Sequence, residues 1–181
     1  MKKIIFFCLI MVNVSYGYSY NDILLKAQAS IFPKIMLLDK KLENKLIDGK
    51  VVYTIAYDES DLHIAQEISD FIDKNFEGNF DKYLYKINLV EFSDLSNDTE
   101  TSAIYTLNSD KYIDKVAKIA KDKGVIAFSY DIENLKKGLL FSLVLEKSTV
   151  LYLNKEDLNK TKIDFVDSLL QMVRFMDKNN L

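Results

Sequence analysis

The sequence predicts an α/β fold: a three-layer sandwich whose mixed, mostly parallel sheet ends in an antiparallel edge hairpin. Three observations predict it. Short β-branched and aromatic runs alternate with stretches of helical apolar spacing. Residues 137–154, KGLLFSLVLEKSTVLYLN, carry two apolar runs joined by Lys147 and Ser148. One proline and five glycines in 181 residues leave no seam at which a second domain could begin.

The elements follow in order. Residues 20–46 place Ile23, Ala27, Ser30, Ile31, Lys34, Ile35 and Leu38 at helical spacing, with Pro33 as a kink or restart and Asp48-Gly49 as the closing turn. VVYTIAY (51–57) reads as a strand, and 61–76 as a helix burying Leu62, Ala65, Ile68 and Ile72. Residues 83–92 and 102–107 are strands. Residues 109–124 are a helix with Ser109 as cap, Tyr112, Val116, Ile119 and Ala120 as its buried face, and Gly124 at its stop. A short buried strand fills 124–130. The runs 139–146 and 149–154 then form the hairpin, placed at the edge of the sheet, although Lys-Ser is a poor pair for a tight primed turn. Residues 154–178 close the chain as one helix, with Ile163, Val166, Leu169, Leu170, Val173 and Met176 covering the sheet.

The first seventeen residues are expected to be a signal peptide. Lys2 and Lys3 precede the apolar run 4–14, which is too short to span a bilayer, and Ser15 and Gly17 occupy the −3 and −1 positions of a cleavage site before Tyr18. Cys8, the only cysteine, lacks the small residue that a lipoprotein signal needs just before it. Cleavage removes two lysines, taking the net charge from −3 to −5, and leaves a single domain, 18–181, without a thiol. Periplasmic export without disulfides, and no membrane insertion after cleavage, is the expectation.

Composition argues against several functions. A charged fraction of 28% balanced to −3 is not the basic footprint of a nucleic-acid binder, and Arg174 is the only arginine, so a bidentate anion clamp has at most one member. His63 is the only histidine, which excludes a His–His metal pair. Asp58, Glu59 and Asp61 follow a strand and could hold a cation, but acids at a helix N-terminus are favoured by the dipole in any case, and capping is the better reading. Ser129, Tyr130 and Asp131 place a hydroxyl beside a carboxylate, with no base and no G-x-S-x-G elbow. The glycines form no phosphate loop. Tyr83, Tyr85 and Phe92 alternate as on a packed strand face. No catalytic residue, metal or cofactor is therefore expected, and the residues point to a binding domain without naming what is bound.

Residues 124–175 also resemble the YfiR-like family of small periplasmic proteins. That pattern has a strand ending in Ser-x-Asp, matched by Ser129 and Asp131, and a glycine before an apolar strand, matched by Gly138 and Leu139–Leu145. A strand ending in Asn matches Asn154, and a final helix with a Ser and Leu-Leu core matches Ser168 to Leu170; the helix 26–38 is similar to the family's opening Lys-Ala helix. Two departures stand out: a Trp-Pro that commonly follows the first helix is absent, and so are the cysteines of some members, which argues against redox control.

The resemblance implies a regulator that binds the periplasmic part of an inner-membrane diguanylate cyclase, or a sensor kinase, and controls cyclic di-GMP synthesis or signalling. Tyr130, Asp131, Lys137, Gly138, Asn154 and Leu158, at strand ends of the matching segment, are the expected partner-binding residues. The alternative is a small periplasmic solute-binding protein that delivers a ligand to a transporter or receptor from a cleft at strand ends. An apolar edge hairpin also permits edge-to-edge pairing into a homodimer.

Overall fold

Val51–Tyr57 is buried along its whole length, as a central strand must be when parallel neighbours flank it and helices cover both its faces. The computed structural model describes residues 18–176, so the expected signal peptide, 1–17, lies outside the described residues. The chain runs α1 (Asp22–Met36), β1 (Val51–Tyr57), α2 (Leu62–Phe76), β2 (Asn79–Phe80), β3 (Tyr83–Glu91), β4 (Ala103–Thr106), α3 (Ile113–Lys123) and β5 (Ile126–Ser129). It continues with a 3-10 helix at Ile132–Lys137, β6 (Phe141–Leu145), β7 (Thr149–Asn154), α4 (Lys155–Leu158), α5 (Asp167–Met172) and β8 (Arg174–Met176).

One eight-stranded sheet has the order β2-β3-β1-β4-β5-β6-β7-β8. The five strands from β3 to β6 are mutually parallel; β2 is antiparallel to β3, β7 is antiparallel to β6, and β8 is parallel to β7. The predicted α/β class and mixed, mostly parallel sheet are thus observed. Alternation along the strands divides the interior in two. On one face Tyr53, Ile55, Tyr105, Phe128 and Phe141 pack under α1 and α2; on the other Ala56, Ile104 and Ala127 pack under α3 with Phe92, Leu95 and Leu135. Phe32 of α1 anchors the first layer, stacked on Phe128 at 4.5 Å and edge-on to Tyr105 at 5.2 Å.

Four expectations are corrected. The helix over 20–46 continues through Pro33 and ends at Met36, its last turn closing through Leu37 N–H on Pro33 O. Its buried residues are Leu25, Gln28, Ala29, Phe32, Pro33, Ile35 and Met36, so Ile35 of the expected stripe is buried while Ile23 is 70% exposed. Ser109 does not cap α3, which starts at Ile113.

The closing helix is interrupted. Ile163 and Phe165 alternate into the first core in an extended segment, whose backbone bonds run to the loop after α1 (Lys40 N–H to Asp164 O, Val166 N–H to Leu38 O) instead of along a helix. Buried Asp39, paired with Lys45, holds that loop in place. The antiparallel pair β6–β7 stands at one edge region of the sheet as expected, with three residues of β8 added outside β7, and its turn spans Glu146–Ser148, wider than two residues as the poor Lys-Ser pair implied.

Candidate functional site

In a sheet of this order the chain leaves the carboxyl ends of β1 and β4 in opposite directions, opening a crevice where α/β folds seat their ligands. Here the crevice is filled by the chain's own residues 18–21. The Tyr20 hydroxyl donates to Asp61 Oδ2 (2.6 Å), after β1, and accepts from Asn108 N–H (3.2 Å), after β4. Its ring packs edge-on against Tyr130, after β5, with centroids 4.8 Å apart, and Asn21 N–H donates to the Tyr130 hydroxyl at 2.8 Å. One tyrosine therefore touches the ends of three strands. Asn21 then caps α1 through its side chain on Leu24 N–H.

A second tie lies beneath it. Gln28, fully buried on α1, donates to the carbonyls of Tyr130 (2.9 Å) and Leu143 (3.0 Å) and accepts from the Tyr105 hydroxyl. Those are three bonds from one amide, which leaves little of its polar capacity unmet.

Burial at the closure shifts its titratable groups. Burial, then the bond to Asp61, pushes the Tyr20 hydroxyl far above the ordinary tyrosine range; burial and Asp110 raise that of Tyr18 to about 12. The Asp58 carboxyl is raised, first by burial and further by Asp61 and Asp110, against the opposing hydrogen bond from Ser109 and the charge of Lys111. The acids expected to cap α2 thus do something else: Asp61 sits at the N-cap position but makes no side-chain cap bond, because its carboxylate is turned to Tyr20. Ser109 likewise bridges to Asp58. His63 is exposed on α2. Among the described residues no group of three His, Cys, Asp or Glu could hold a metal ion, and no helix is long and apolar enough to cross a membrane.

The six partner residues read from the sequence separate into two sets. Tyr130 and Asp131 stand at the carboxyl end of β5, beside Tyr20; Asp131 caps the 3-10 helix by accepting from Glu133 N–H, and Ser129 Oγ donates to the Asp131 carbonyl at 2.7 Å. Lys137, Gly138, Asn154 and Leu158 lie at the opposite end. Lys137 is exposed there and Leu158 is half-buried against the core. Asn154 Nδ2 donates to Leu135 O and Asp157 Oδ2, both at 2.6 Å, while its Oδ1 accepts from Asp157 N–H as the cap of α4. Beside these residues is a cleft of about 270 Å³ lined by Lys118, Lys121, Lys137, Gly138 and Asp157 among others. A larger cleft, about 450 Å³, runs between α1 and α2 over Leu25, Ala29, Ile68 and Phe71, with Asp22, Lys26, Glu67, Asp70 and Lys74 around it.

Sequence reasoning missed Tyr20 and Gln28. Gln28 was legible, since Leu25, Gln28, Ala29, Phe32 and Met36 share helical spacing around larger side chains than the stripe through Ile23 offers. Tyr20 had no local signal, because its three partners come from loops far apart in the chain.

No family model matches this chain, and no curated protein matches it. A solved structure shares its fold. A conserved domain protein from Vibrio cholerae O1 biovar El Tor strain N16961 is similar over 84% of this chain and 60% of its own, with a TM-score of 0.58 and 10% identity. The ABC domain in complex with L-Trp from Streptococcus pneumoniae is similar over 78% of this chain and 61% of its own, with a TM-score of 0.49 and 12% identity. The chain thus spans about three fifths of the length of either neighbour, and at 10% identity the likeness to the first is one of fold alone.

Proposed function

We propose that this chain is an exported, non-enzymatic regulator that binds the periplasmic part of an inner-membrane signalling enzyme, a diguanylate cyclase or a sensor kinase, and sets its activity. The observation that carries this reading is the occupied crevice: Tyr20 takes the position where a small ligand would otherwise be held at the switch point, which favours a protein partner over a solute. Tyr130 and Asp131 on the closed end, and Lys137 on the open one, are the surface positions assigned to that partner. Regulation of this kind needs a stimulus that binds the free and the complexed chain differently.

One feature favours solute capture instead. The α1–α2 cleft, at about 450 Å³ with an apolar floor, falls within the size range of small-molecule sites. Affinity capture of the tagged chain from crosslinked envelopes separates the two, with captured proteins identified by mass spectrometry. A membrane cyclase or kinase that is captured by the wild type and lost with Tyr130→Ala/Asp131→Ala or Lys137→Glu supports regulation. Transport components, or a co-purifying small molecule with no protein, overturns it.

A further inference from the structure

At the amino end of the strands a cleft stays open among the described residues. Its walls are α3 and residues 137–138, and Asp157 of α4 also lines it. Gly138, at φ +98°, brings the chain close to the helix, since a Cβ there would lie 3.4 Å from that of Ala117. Ala120, Val125, Ala127 and Leu140 supply an apolar floor. At about 270 Å³ the cleft stands at the small end of ligand sites, which suits a molecule of a few carbons.

The charges around this cleft are unbalanced. Both oxygens of Asp157 are engaged, Oδ2 by Asn154 Nδ2 at 2.6 Å and Oδ1 by Lys160 Nζ at 3.2 Å. The exposed ammonium groups of Lys118, Lys121 and Lys137 have neither an ion pair nor a hydrogen bond among the described residues, and Asp114 is the one other carboxylate lining the cleft. Three free positive charges against one negative leave a local excess of two, in a chain whose net charge is −3. Helix dipoles account for part of this, because Lys121 and Lys137 stand in the last turns of their helices. Lys118 is not explained in that way. It sits in the middle of α3, one turn from Lys121, where like charges repel, and Asp114, one turn before it, makes no ion pair with it.

We propose that this cleft binds a short-chain dicarboxylate, with its carbons on the apolar floor and its two carboxylates among Lys118, Lys121 and Lys137. A dianion matches the unpaired charge, and lysines, as mobile point charges, hold carboxylates without a fixed fork. Inorganic phosphate fits less well: no arginine lines the cleft, the Gly138 N–H is spent on Leu135 O, and phosphate leaves the floor uncovered. Lys137 and Gly138, which the sequence placed among the partner-binding residues, serve a ligand in this account. The inference is independent of the regulatory reading, and it supplies the stimulus that reading needs.

The test is an amide NMR titration of the purified chain with succinate, glutarate and adipate at constant ionic strength, beside phosphate and chloride. At least one of the three acids is expected to shift the resonances of residues 117–121 and 137–138 saturably, while phosphate and chloride shift them weakly or not at all. Lys118→Gln/Lys137→Gln removes two exposed charges, and is expected to weaken that binding by about tenfold or more with an unchanged circular dichroism spectrum. No saturable shift with any of the three acids, equal shifts with phosphate at the same concentration, or an unchanged affinity in the double variant overturns the proposal. Each of these results is read on the isolated chain, so it leaves the capture of a membrane partner to be decided by the crosslinked envelopes.

Discussion

The carboxyl and amino ends of the parallel strands are built from the same kinds of loop, yet one is shut and the other is not. At the carboxyl end Tyr20, Asp61, Asn108, Tyr130 and Gln28 interlock, and polar groups of four loops and α1 spend themselves on one another. At the amino end Asn154 organises a single turn of helix, and Lys118, Lys121 and Lys137 stand around a cleft of about 270 Å³. Polar residues near a fold's usual ligand position can therefore be structural, and the difference is decided by where their hydrogen bonds go.

Substitutions sharpen that contrast, and the largest effect is expected at the shut end. Gln28→Ala strips bonds from the buried Leu143 carbonyl, the part-buried Tyr130 carbonyl and the buried Tyr105 hydroxyl at once, and should cost about 3 kcal/mol in urea denaturation. Asn154→Ala removes the cap of α4 and the donor to Leu135 O, for about 2 kcal/mol by the same measurement; a cost equal to that of Gln28→Ala would erase the contrast. Gly138 has φ +98°, and a Cβ there would lie 3.4 Å from that of Ala117, so Gly138→Ala should cost roughly 1 kcal/mol, read as a lowered melting temperature.

The smallest effect is a gain. Asp58 has its carboxyl raised chiefly by burial, so its charged form is disfavoured in the fold. Ionised in both states at neutral pH, it costs stability there; as pH falls through the raised folded value, protonation removes that cost. Asp58→Asn should stabilise by less than about 1 kcal/mol at pH 7, and the gain should fade as the pH approaches about 4, where the unfolded carboxyl protonates as well. Thermal melts at several pH values check it; destabilisation at pH 7 would mean that the bond from Ser109 outweighs burial.

Much of the fold was legible because local pattern and tertiary role agree. The run 51–57 is β-branched and sits at the centre of the sheet; Ala65, Ile68 and Ile72 repeat at helical spacing and face it. The closing helix was misread for a physical reason. Ile163, Val166, Leu169, Leu170, Val173 and Met176 satisfy a helical period, but Ile163 and Phe165 also satisfy a two-residue one, and pairing with the loop at Leu38–Lys40 decides between them. β2 and β8, two and three residues long, are too short to leave a pattern. Of the candidate site, strand-end positions such as Tyr130 could be placed from sequence. The closure by Tyr20 could not, since it depends on residues 41, 88 and 110 positions away meeting at one point.

The most direct test of the closed crevice is a double-mutant cycle on Tyr20→Phe and Asp61→Asn, measured by urea denaturation. A hydroxyl donating to a buried carboxylate predicts that the two changes are coupled by about 1 kcal/mol or more. Additive effects, within about 0.3 kcal/mol, would mean that Tyr20 does not bind Asp61 in solution and that the crevice is open to a ligand.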